Sequence, residues 1–167
     1  MDFQKDLIAE FDSETAKTRK MLDAIPDNVD WNYKPHPKSM SLGRLAGHLT
    51  DFAGDWAMST LTKDKIEFGP DSKFEPYVPA SKADLLAKFD KQLAETRTAL
   101  AATTGDKWER NWQFLWGGTA YINDPKHKVF RDAVMNHMIH HRGQMSVYLR
   151  LLNAKVPGVY GPSADEM

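Results

Sequence analysis

The sequence predicts an all-α protein: a four-helix bundle with long connecting loops and an extended C-terminal tail, in one domain covering residues 1–167. Two observations carry this. Four stretches of about twenty residues or more repeat apolar side chains at three- and four-residue spacing, the period of a single helix face. The segments dividing them are rich in proline and glycine, and no repeat or low-complexity tract intervenes. Four such faces around one core make a bundle.

The first helix spans residues 2–24. Phe3, Leu7 and Phe11 stand at i, i+4 spacing, and Met21, Leu22 and Ile25 resume the stripe after the polar "DSETAKTRK". Pro26 ends it. Residues 26–40 hold three prolines with Trp31, Tyr33 and His36 and read as a loop. Ser39 or Ser41 then offers an N-cap. Residues 41–61 place Leu42, Leu45, Leu49, Phe52 and Trp56 at alternating spacings of three and four. Gly43, Gly47 and Gly54 each cost this helix about 1 kcal/mol relative to alanine, a cost tolerated where a neighbouring backbone must come close.

Residues 62–80, with Pro70, Pro76 and Pro79, read as a second long connector. Ser81 caps the third helix, and Ser-x-x-Asp resembles a capping box with Asp84 in the glutamate position. Leu85, Leu86, Phe89, Leu93 and Leu100 form its face, and Gly105 lies just past its end. The aromatic-dense 106–124 contains Gly117-Gly118, which fits either a β-hairpin turn or a loop folded over a pocket. Pro125 opens the fourth helix, which runs to about Asn153, followed by a Pro/Gly-rich tail.

Composition sets outer limits. A net charge of −1 gives no broad attraction to nucleic acid or acidic lipid, so neither is an expected partner. No apolar run approaches the roughly 18 residues that span a bilayer. The start, "MDFQKDLIAEFDSE", lacks the basic and apolar regions of a signal peptide. With no cysteine, disulfides are impossible, which fits a cytoplasmic location. A metal site must then use His, Asp, Glu or backbone oxygen, and thiol chemistry must take its thiol from a small molecule.

The chemistry-bearing residues are histidines. At about 100° per residue, His141 lies about 40° from His137 around the fourth helix, on the broad face of Val134, Met138, Met145, Tyr148 and Leu152. His140 falls on the flank, and Gln144 returns close to the His137 line. The spacing H-x-x-x-H is weak evidence by itself. It fits a metal pair and a pair of hydrogen-bonded core histidines equally well, and Met138 stands where a zincin would have glutamate. His48 lies between Leu45 and Phe52 at the edge of the second helix's apolar face, where a lone histidine reads first as an ordinary core-edge residue. If helices two and four pack side by side, His48, His137 and His141 converge. Three imidazoles with an open fourth position are the ligand set of a catalytic zinc-type site, though imidazole also suits nickel, iron and copper. His36 and His127 read as surface residues.

"SMSLGRLAGHLTDF", followed about 90 residues later by "NHMIHHRGQMSVYLRLLNAKVPGVYGPSADE", resembles the DinB/YfiT-like metalloenzyme superfamily over nearly the whole chain. The resemblance implies a four-helix bundle and a divalent metal, nickel or zinc, held by His48, His137 and His141. It also implies a homodimer. Relatives with assigned chemistry are thiol-dependent transferases or isomerases that use thiols such as bacillithiol or mycothiol, or resemble maleylpyruvate isomerases. The expected reaction is therefore thiol-dependent S-transfer from a small-molecule thiol to a small electrophilic substrate. A non-catalytic metal-binding or stress-response bundle dimer, and a metal-dependent hydrolase, are the alternatives, because a fold does not fix a reaction.

Other residues have candidate roles around such a site. Asp51 and Asp55, at i+3 and i+7 from His48, can each accept a ligand N–H and fix its tautomer, or be solvated helix-flank charges. Gln144 is the better candidate to line the site. Trp31, Tyr33, Trp56, Trp112 and Trp116 can wall a pocket, although Trp56 on an apolar period reads first as core. Arg142 reads as an anchor for a chain terminus or carboxylate. No carboxylate has a spacing that commends it as a general base for hydrolysis.

Overall fold

The computed structural model describes residues 3–167. Helix α1 (Phe3–Asp23) buries Leu7, Phe11, Met21 and Leu22. Its polar middle is buried as well. The Thr15 and Thr18 hydroxyls donate to the carbonyls of Phe11 and Glu14 at 2.7 and 3.0 Å, so they enter the interior already satisfied. The second helical rod is α2 (Leu42–Asp51), a π-helical stretch (Phe52–Trp56) and α3 (Ala57–Thr62). Of the two candidate caps, Ser41 is the one used: its side chain accepts from the Arg44 amide at 3.2 Å. Helix α4 (Lys82–Ala102) starts at Ser81, whose side chain accepts from the Asp84 amide at 3.1 Å. The last rod is α5 (Lys126–Val129), a second π-helical stretch (Phe130–Asn136) and α6 (His137–Leu151).

The all-α expectation is wrong. Beside the four helical rods stands a three-stranded mixed sheet in the order β1 (Lys65–Phe68), β2 (Asn111–Trp116), β3 (Thr119–Pro125). β2 and β3 form the antiparallel hairpin that Gly117-Gly118 allowed. Both glycines have positive φ, +55° and +80°, as a two-residue type I′ turn requires. The register slips between Phe114↔Ile122 and Leu115↔Ala120, leaving Tyr121 as a bulge. β1 pairs parallel to β2, and the chain crosses between them through α4. β1 was invisible in the sequence because four residues carry too little period to read. What makes them a strand is a partner nearly fifty residues away.

The hairpin is fixed to the helices by Trp112. It is fully buried, and its indole N–H donates to the Ser59 carbonyl in α3 at 3.1 Å. One core cluster joins α2, α4 and α6 through Leu45, Leu49, Phe89, Met138 and Met145. A second joins Leu7, Phe11, Trp108, Phe130 and Val134 at the other end. Among the described residues no helix is long and apolar enough to cross a membrane.

Gly47 meets the condition expected of a mid-helix glycine. A Cβ there would overlap the carbonyl oxygen of Tyr77, which rides directly on α2. Gly143 in α6 has open space at the same position. Gly47→Ala is expected to destabilise by about 2–3 kcal/mol, as overpacking does, lowering the urea midpoint by about 1 M or more. Gly143→Ala should be neutral or stabilising by up to about 1 kcal/mol, because it gains helix propensity without a clash.

Candidate metal centre

The three histidines come from the two rods that contain π-helical turns. His48 sits in α2 just before Phe52–Trp56, and His137 opens α6 just after Phe130–Asn136. Such wide turns recur at functional sites because they re-aim the residues beside them. Here α2 and α6 pack side by side, and one ligand-type atom from each of His48, His137 and His141 lies within 4.8 Å of the others. The ring centroids of His48 and His141 are 4.5 Å apart, and those of His137 and His141 are 4.6 Å apart.

Neighbours fix these rings. His137 stacks face to face on Phe52 at 3.9 Å, and Phe52 stacks on Trp56 at 5.2 Å. His141 Nδ1 lies 2.7 Å from Gln144 Oε1. An amide oxygen can only accept, so Nδ1 carries the proton and Nε2 keeps its lone pair. That Nε2 lies 2.8 Å from His137 Nε2. Tetrahedral zinc with Zn–N of about 2.0–2.1 Å sets its ligands roughly 3.3 Å apart, so the pair needs to open by only about half an ångström. Gln144 Nε2 in turn lies 3.1 Å from Nε2 of His140, which is exposed.

Burial keeps all three rings neutral. It is the main cause that pushes His48 down to about 3 and His137 down to about 4, with the neighbouring His141 adding to both shifts. It also lowers His141, partly offset by the Gln144 hydrogen bond. Three neutral, largely desolvated imidazoles brought together fit a divalent cation, and among the described residues this cluster has three protein members. Two cavities reach it. One, of about 330 Å³, contacts His48, and another, of about 400 Å³, contacts His141 and Gln144.

The other candidates divide. Trp56 and Trp116 line the His48 cavity, whereas Trp112 is core and Trp31 and Tyr33 pack against the core. His36 is exposed as expected. His127 is half-buried instead, with its ring against Phe3 and its Nδ1 3.2 Å from the Trp108 carbonyl. Asp55 is exposed. Asp51 is buried and also lines the His48 cavity, but its Oδ2 accepts no hydrogen bond. Burial, chiefly, raises its carboxyl to about 6. The group on His48 Nδ1 is Arg44, at 3.4 Å. Arg44 and Phe52 were missed in the sequence, although each stands four residues from His48, the spacing that stacks side chains on a helix face.

The chain matches the DinB family over residues 1–167. Its fold resembles a DinB-like protein from Bacillus cereus ATCC 10987, with a TM-score of 0.65 and 28% identity, covering 89% of this chain and 91% of that one. It also resembles the DinB-like protein YjoA from Bacillus subtilis, with a TM-score of 0.68 over 92% of this chain and 97% of that one; at 19% identity this likeness concerns the fold alone. A 33-residue stretch is 48% identical to the Bacillus subtilis "Uncharacterized protein YrdA" and spans 20% of each chain.

Proposed function

The chain belongs to the DinB family, and on that premise we propose that it is a metal-dependent enzyme that transfers a small-molecule thiol to an electrophilic substrate. The observation that carries the reading is the convergence of His48, His137 and His141 within 4.8 Å, with one cavity against His48 and another against His141. A nickel or zinc ion bound there supplies Lewis acidity and lowers the pKa of a thiol or water in its remaining positions. The three imidazoles hold that ion without neutralising its charge. Gln144 keeps the His141 proton on Nδ1, away from the metal side. Phe52 and Trp56 hold the plane of His137 and exclude water from one flank. Two separate cavities at one centre suit two reactants, thiol and electrophile, better than they suit a structural metal.

The test is thiol-dependent turnover of a generic electrophile such as 1-chloro-2,4-dinitrobenzene by the metal-loaded protein, with His137→Ala as the control. Turnover that needs both thiol and metal is the expected result; a rate no higher than the control refutes the transferase reading. Metal-dependent hydrolysis is the second reading. It is favoured by one observation, the buried Asp51 carboxyl raised to about 6 in the cavity that contacts His48, in the range of a general base. Ester cleavage by the same preparation without thiol would bring that reading forward.

A further inference from the structure

The cavity on the His48 side has one charged donor at its floor and rings on its walls. Phe114 stands 5.5 Å from Trp56 and 6.2 Å from Phe68, and Trp116, half-exposed, lines it too. The floor carries the Arg44 guanidinium beside His48. Arg44 is partly exposed, but one end of its guanidinium is poorly satisfied. Its Nη1 is buried and makes no hydrogen bond, and the nearest carboxylate oxygen, Asp51 Oδ2, stands off at 3.7 Å and is unpartnered as well. Its Nη2 has only the long 3.4 Å contact to His48 Nδ1.

That last contact does not survive use of His48 as a neutral ligand. If the metal takes Nδ1, the lone pair is gone. If it takes Nε2, Nδ1 must carry the proton, and a guanidinium cannot accept one. On either nitrogen, coordination leaves Arg44 facing the cavity without this acceptor. The buried Nη1 with open donors costs desolvation that an acceptor in the cavity would offset.

We infer that this cavity binds a flat, apolar molecule bearing a single carboxylate, with the carboxylate on Arg44 and the ring system between Trp56, Phe114 and Trp116. Arginine's planar fork matches a carboxylate, and about 330 Å³ is at the small end of ligand pockets. The Asp51 carboxylate beside Arg44 offsets part of the guanidinium charge, so the floor favours a ligand with one anionic head over one with two. The inference rests on the proposed function in having a metal on His48 free Arg44 of its ring contact and in making this ligand the electrophilic substrate; the unpartnered Nη1 and recognition by Arg44 require neither metal nor turnover.

The experiment is calorimetric titration of the purified full-length protein with 2-naphthoate and with 2-naphthylmethanol, which keeps the ring and removes the charge. Naphthoate should bind about tenfold tighter or more, the scale of a hydrogen-bonded charge. Arg44→Leu should abolish that preference, and Arg44→Lys should retain part of it. Trp116→Ala should weaken both ligands together. The comparison within the unaltered protein needs no variant, so misfolding of Arg44→Leu, checked by circular dichroism, does not rescue the idea. Absence of naphthoate binding, or equal binding of the alcohol, overturns it. A preference that survives Arg44→Leu but vanishes in His137→Ala also overturns it, by placing the carboxylate on the metal, and leaves the metal reading standing. A preference lost in Arg44→Leu and kept in His137→Ala supports it even if no thiol transfer is ever found.

Discussion

His137→Ala should leave the three-histidine cluster unable to hold a divalent metal. The unaltered protein is expected to carry up to one divalent ion per chain by elemental analysis after dialysis, and the variant close to none. Losing an outer hydrogen-bond partner typically weakens a site about 10–100-fold; losing one of three ligands removes a coordinate bond and should exceed that. His48→Ala and His141→Ala should behave alike, since all three rings share the cluster. His36→Ala should keep its metal because that residue is exposed in the proline-rich loop. His140→Ala should lose little, since His140 is exposed and reaches the cluster only through Gln144. Equal loss at His140 would mean that α6 presents a different face to α2.

The pH dependence follows from the lowered histidines. Protons compete with the metal for the same lone pairs. With His48 near 3 and His137 near 4, no proton need be displaced from these two at neutral pH. Protonation of these two ligands should therefore not weaken metal binding at neutral or mildly acidic pH, and metal content should collapse as pH falls through about 4. Ordinary histidines would already lose metal near 6.5. The metal-free protein shows the linked effect in stability. Below about 6.5 the unfolded chain takes up protons that folded His137 and His48 refuse until about 4 and 3. The unfolded state thus binds more protons, and stability falls as pH drops through that window.

Much of this site was legible before any coordinates, because its parts are local. His137 and His141 share a face by helix geometry alone, whereas His48, by its place an ordinary core-edge residue, stands out only through the resemblance to the DinB/YfiT-like superfamily. What the sequence withheld depends on partners far along the chain. β1 exists because Lys65–Phe68 finds Gln113–Trp116, and that pairing carries the cavity wall over Arg44. The π-helical turns beside His48 and His137 have no simple sequence code, since they follow from how neighbouring rods pack. Asp51 has the spacing to orient a histidine, yet Arg44 and Gln144 hold the ring nitrogens instead, because side-chain reach decides among residues of equal spacing.

Arg142→Met should lower the melting temperature by about ten degrees without emptying the metal site. Arg142 was expected to anchor a terminus or a carboxylate at the bundle surface; it is instead buried, 2% exposed, and holds the Glu14 carboxylate together with Tyr160 of the C-terminal tail. Its Nη2 donates to Glu14 Oε2 and to the Tyr160 hydroxyl at 2.6 Å each, and its Nη1 donates to the Glu14 carbonyl at 2.9 Å. Tyr160 donates to the same carboxylate at 2.7 Å, so the C-terminal tail, α1 and α6 meet at one buried charge pair. Burial works to raise the Glu14 pKa, but hydrogen bonds from Lys17, Tyr160 and Arg142 outweigh it and hold the carboxyl below its usual range. Its contribution to stability is therefore present at neutral pH and lost as pH falls through that lowered value.

Removing the arginine leaves this buried carboxylate with Lys17 as its remaining cation and strips Oε2 of its buried partner, a loss at the lower end of the roughly 3–5 kcal/mol that breaking a buried pair costs, about 3 kcal/mol. For a chain of this size each kcal/mol is about 2–4 °C. Tyr160→Phe should cost less, about 2 kcal/mol, for the two hydrogen bonds its hydroxyl makes to the charged pair. The double change Arg142→Met with Glu14→Leu should recover most of the loss, because two apolar side chains of similar volume leave no stranded charge. Arg142 lies about 100° around α6 from His141, on the side facing α1 and not α2. Metal content well below the melting point should therefore match the unaltered protein. Were Arg142→Met to lose its metal in the cold, the pin between α1 and α6 would also be setting the angle at which α6 offers His137 and His141.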